Sequence, residues 1–175
     1  INIIFIFNNY QMNEIIIPID KENSAFSFMP WSKVNVQYSL QYKLLQNYIN
    51  TGNPLYDSDG LADIYGKKVI ATTLTIGNVG DEVNVIFKEN LSGWRNGKTL
   101  NAIIGDIKDE NDIKPPCDSY GHIYGRQRCV VEFIVNKDVF VGDKRIYNTI
   151  PCLVHNPVIK IINYGRRFVE ENGLL

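Results

Sequence analysis

GNVGDEVNVIF at Gly77–Phe87, GKTLNAIIGDIK at Gly97–Lys108 and CVVEFIV at Cys129–Val135 decide how this chain folds. In Glu82–Phe87 apolar residues fall at alternate positions, the pattern of a strand with one buried face. Gly77 and Gly80 flank the turn that feeds it. Thr99–Gly105 reads as a further strand, entered from the polar hairpin Lys88–Gly97 with its Asn96-Gly97 turn. Cys129–Val135 is apolar almost throughout, apart from one carboxylate, Glu132. Such a run suits a strand covered on both faces. Lys67–Thr75 and Val158–Asn163 add strands on either side. Short strands, glycine-rich turns and little helix predict a mainly β protein built as a small barrel.

Outward from this region, QYSLQYKLLQNYI at 37–49 predicts the one helix, because Leu40, Leu44, Leu45 and Tyr48 make a continuous stripe. Gly52 stops it and Pro54 prevents its resumption. Residues 21–36 are mixed, with Pro30 and Trp31 before a short extended stretch. Residues 1–20 read as a hairpin of two apolar runs, Ile3–Phe7 and Glu14–Ile19, around Asn8 and Asn9. Each run needs cover, from the rest of the chain or from a neighbouring subunit. The expected organisation is an N-terminal arm over 1–36, helix and linker over 37–60, a barrel over 61–165 and a tail over 166–175.

Composition bounds the rest. The chain has 175 residues, 45% hydrophobic and 21% charged, with a net charge of −1. That is globular, with core enough for a domain, and lacks the basic excess of a nucleic-acid binder. An abundance of Ile and Asn suggests an AT-rich coding source such as a low-GC bacterium or its phage. No apolar stretch approaches the ~20 residues of a membrane span. The opening on Ile1, without Met or a basic segment, suggests a processed or trimmed fragment. Three cysteines, Cys117, Cys129 and Cys152, are too few for a disulfide scaffold.

The order YGKKVIATTLTIGNVGDEVNVIF, NGKTLNAIIGDIKD, loop, RCVVEFIV over 65–135 resembles the six-stranded double-psi β-barrel of wall-active families. These are the rare lipoprotein A family, the barrel of lytic transglycosylase A, and the 3D domains of Gram-positive bacteria and their phages. Gly77–Val83, Gly97–Asp106 and Val131-Glu132-Phe133 answer to their shared segments. The chain is also similar to tail-associated proteins of Firmicutes phages, through Gln41-Tyr42-Lys43-Leu44, Asp106-Ile107-Lys108 and Asn156-Pro157-Val158-Ile159-Lys160. It departs from the wall-active enzymes in having Ile107-Lys108 after the first acid and Glu132, not Asp, as the second.

The resemblance implies peptidoglycan cleavage with Asp106 and Glu132 as the catalytic pair, and no cofactor. A carboxyl desolvated in a strand becomes a general acid near neutral pH, as glycosidic cleavage requires. By themselves, Glu132 is equally a solvent-facing strand residue and Asp106 a strand-end turn residue. The long segment 107–128 offers Tyr120, His122 and Tyr124 for sugar contacts, and Arg126 and Arg128 for an anionic group. It is equally a solvated crossover. Cys117, His122 and Cys129 have a spacing unlike that of structural zinc sites, and a Cys117–Cys129 bridge is the alternative. The expected protein is thus a phage-tail or particle component facing the cell wall. It would act on bacterial cell-wall glycan and contact other particle subunits through residues 1–20. The rival is a non-catalytic structural or wall-binding component on the same fold. A third possibility is an intracellular enzyme on an unrelated barrel.

Overall fold

The computed structural model describes residues 12–20, 22–24, 27–90, 97–108, 117–124, 126–139 and 156–175. Its elements run β1 (Asn13–Ile16), β2 (Glu22–Ser24), β3 (Ser27–Pro30), α1 (Trp31–Val34), α2 (Leu40–Asn50), β4 (Asp63–Ile64), β5 (Lys67–Thr72) and β6 (Glu82–Phe87). They continue through β7 (Thr99–Ile107), β8 (His122–Tyr124), β9 (Gln127–Cys129), β10 (Glu132–Val135), β11 (Val158–Gly165) and α3 (Arg167–Glu171). The protein is mainly β. A large mixed sheet has the order β1-β11-β6-β7-β5-β10-β3, with β4 on β5, and β2-β9-β8 form a second sheet. β5 runs parallel to β7, and β10 parallel to β3.

The expected closed six-stranded barrel is corrected here: no ring closes among the described residues. Closure would need β3 to hydrogen-bond back to β1, the other end of the order. The segment between them instead carries β2 away to pair with β9.

Alternation along the strands divides the core into two. Ile70, Val83, Val85, Phe87, Ala102, Ile104, Val131, Phe133 and Ile161 pack on one side of the sheet. Val69, Ile103 and Ile134 face the other side, beneath Leu44, Leu45 and Tyr48 of α2. The continuous apolar run in β10 thus reflects burial on both faces, as its sequence suggests.

Three helices replace the single one expected. Trp31–Val34 is helical where an extended stretch is anticipated. α2 begins at Leu40 because the Ser39 hydroxyl accepts from the Tyr42 backbone N–H at 3.1 Å and caps it. Gly52, at φ 85°, ends it. The expected tail carries α3 and buries Val169 and Leu174, and Asn47 Nδ2 donates to the Leu174 carbonyl at 2.9 Å. The second run of the expected hairpin belongs to the main sheet: β1 pairs antiparallel with β11, and Ile17 enters the core. The first run, Ile3–Phe7, lies outside the described residues. Among the described residues no helix is long and apolar enough to cross a membrane.

Candidate functional site

A single glycine decides where Asp106 points. Ala102 and Ile104 of β7 face the first core, so strict alternation would send Asp106 into the same apolar interior. The register against β5 slips instead: Ile70 pairs with Ile104, but Ala71 pairs with Asp106. Gly105 is the extra residue of this bulge. A Cβ there would lie 2.3 Å from Val69 Cγ1, so the position needs glycine. The slip carries Asp106 to the face covered by α2, where Gln41 Nε2 donates to its Oδ1 at 3.0 Å.

Glu132 of β10 pairs with Ala71 from the opposite side. Asp106 and Glu132 therefore lie in one row on one face, with the small Ala71 between them. Two strand spacings put their Cα atoms roughly 10 Å apart. Lys108, two residues beyond Asp106, returns to the same face. Its Nζ lies 3.2 Å from Glu132 Oε1 and 3.1 Å from His122 Nδ1, and it donates to Cys129 Sγ at 3.9 Å. His122 Nδ1 is also 3.3 Å from Glu132 Oε1. Lys108 and Glu132 are both buried, so each compensates a charge that would be expensive alone.

The two expected acids thus have different environments. Burial raises the Asp106 carboxyl above its usual range. The Gln41 and Ile107 hydrogen bonds work against that rise, and the Glu132 charge adds to it. Glu132 is engaged as the acceptor of an ion pair. Burial lowers the His122 pKa, and the Lys108 charge lowers it further against the pull of Glu132. His122 is therefore neutral at pH 7. Lysine can only donate, so its contact assigns Nδ1 as the acceptor and the ring proton to Nε2.

The other expected contacts divide differently. Tyr120 packs against the first core, and its ring lies 5.7 Å from Arg128 Cζ. Arg126 is exposed. The Tyr124 backbone lies in β8, while its side chain is outside the described residues. Arg128 is a structural clamp, buried at 2% exposure. It grips Asp118 through Nε at 2.8 Å, the Pro18 carbonyl at 2.9 Å and Asp20 Oδ1 at 2.8 Å. Cys117 and Cys129 are reduced thiols, so the bridge between them is not formed. Among the described residues no group of three or more His, Cys, Asp or Glu is placed to hold a metal ion.

Gln41 and Lys108 were not among the expected site residues. Lys108 was legible, since a two-residue spacing on a strand puts it on the same side as Asp106. Gln41 reaches Asp106 across 65 residues of chain, and no local pattern encodes that. No protein family, curated protein or solved structure matches the chain.

Proposed function

We propose that this protein is a peptidoglycan-processing component of a phage tail or phage-like particle, acting as a lytic transglycosylase with Asp106 as its acid. The sheet is read as an unclosed relative of the double-psi barrel. The parallel β5·β7 pair, with β6 on the far side of β7, supports that reading. The observation that carries the function is the environment of Asp106: a half-buried carboxyl of raised pKa, oriented by Gln41.

In this reaction Asp106 gives its proton to the glycosidic oxygen as the C1–O bond breaks. The carboxylate then takes the proton of the sugar's 6-hydroxyl as that oxygen bonds to C1. One acid serves twice, so Glu132 is free to remain ion-paired and hold Lys108 and His122 in place. The scheme needs no cofactor. Residues 1–20 would join the protein to neighbouring subunits, and Met12, Ile16 and Ile19 in that region expose 58%, 62% and 65% of their surface.

The test is digestion of purified peptidoglycan sacculi followed by mass spectrometry. A transglycosylase leaves anhydro ends, whereas a hydrolase adds water and leaves reducing ends. Wild-type protein that releases no muropeptides overturns the enzymatic reading. A second reading, a non-catalytic wall-binding or structural tail protein, is favoured by one observation: the Lys108–Glu132 pair at 3.2 Å makes Glu132 a structural residue.

A further inference from the structure

We infer that the chain entering α2 is an aromatic glycan-binding platform leading to Asp106, with Tyr38 as its principal contact; this rests on the glycan reading above. Tyr38 has φ 71° and is 91% exposed. A turn that demands positive φ ordinarily takes glycine or asparagine. A tyrosine there carries backbone strain, and at this exposure its ring has almost no packing to offset it. The turn is tight, with the Ser39 backbone N–H donating to the Val36 carbonyl at 3.0 Å, and Ser39 then caps α2.

The position of this ring gives it a ligand. Gln41, three residues on, donates to Asp106 Oδ1 at 3.0 Å, so Tyr38 stands at the end of α2 that holds the acid. Tyr42, in the same turn, lies nearly parallel to Trp31, with ring centroids 6.3 Å apart and 14° between planes. Three aromatic rings therefore gather where α1 hands the chain to α2. A pyranose presents an apolar face of C–H groups and a rim of hydroxyls, and an exposed ring beside polar side chains matches both. The occupant that fits a carboxylic acid of raised pKa next to such rings is a chain of N-acetylated amino sugars. The Tyr120 and Tyr124 contacts expected from sequence are replaced in this role by Tyr38, Tyr42 and Trp31.

Tyr38→Gly tests the platform, because glycine relieves the strain while deleting the ring. Binding of N-acetylglucosamine oligomers is measured by calorimetry, and binding and digestion of purified sacculi by co-sedimentation and muropeptide release. The expected result is oligomer binding weakened about tenfold, which corresponds to ~1.4 kcal/mol, with a melting temperature equal to or above that of wild type. Tyr38→Phe should bind as wild type. If wild type binds oligomers and releases muropeptides, and Tyr38→Gly binds equally well, the platform is overturned while the role of Asp106 stands. If wild type neither binds oligomers nor acts on sacculi, the wall-directed reading fails and the platform fails with it.

Discussion

Lys108→Met should be among the most damaging single changes in this protein. The Lys108 side chain is 3% exposed and that of Glu132 10%, with Nζ and Oε1 3.2 Å apart. Removing the ammonium leaves a buried carboxylate with His122, a neutral imidazole, as its remaining described neighbour. Breaking a buried pair in this way costs about 3–5 kcal/mol. For a chain of this length each kcal/mol moves the melting temperature by ~2–4 °C, so the fall is roughly 6–20 °C. Glu132→Met alone strands the lysine and should cost a similar amount. The double variant replaces both charges with apolar groups of similar volume and should recover most of the loss. The assay is a double-mutant cycle by denaturant unfolding, read as the coupling energy between the two positions. A single-variant loss below ~1 kcal/mol, the value of an exposed pair, with losses that simply add, would refute the reasoning. The cycle has a second readout. The Lys108 charge lowers the His122 pKa, so in Lys108→Met the NMR-detected titration of His122 should move upward.

Asp106→Asn should keep the fold and lower muropeptide release by ~10²-fold or more. The folded pKa of Asp106 is raised above 3.8, so its stabilising contribution is present at low pH and lost as pH rises through the folded value. At neutral pH the asparagine variant should therefore be as stable as wild type or more so; a clear loss in thermal denaturation would contradict this. His122 has a folded pKa below 6.5, so the unfolded chain takes up the proton first as pH falls below that value. Stability should decline from about pH 6.5 downward through the folded pKa, and His122→Phe should flatten that part of the pH–stability profile. Gly105→Ala would place a Cβ 2.3 Å from Val69 Cγ1 and 3.0 Å from Ile134 Cδ1. It should cost ~1–3 kcal/mol in denaturant unfolding and reduce activity by displacing Asp106; an unchanged midpoint would remove the bulge from the account.

Local patterning determined much of this protein on its own. The alternation in Glu82–Phe87 and the apolar run in Cys129–Val135 specify strands because side chains alternate between the faces of a sheet. Both become buried strands, and Val83, Val85, Val131, Phe133 and Ile161 line one core as their spacing implies. Asp106 and Glu132 were legible as carboxylates set among apolar strand residues, because such a placement is expensive without partners or a role. Tertiary structure decided what those carboxylates are. The slip at Gly105 turns Asp106 out of the core, and the strand order β7-β5-β10 sets it in one row with Glu132. Lys108 then neutralises one acid, and Gln41, brought across 65 residues of chain, orients the other. Closure failed to follow from the strand pattern for a related reason. Whether β3 meets β1 depends on the path of residues 17–27, and β2 pairs with β9 instead. Hydrogen bonding between distant strands is a choice among partners, and the periodicity of each strand carries no record of which partner wins.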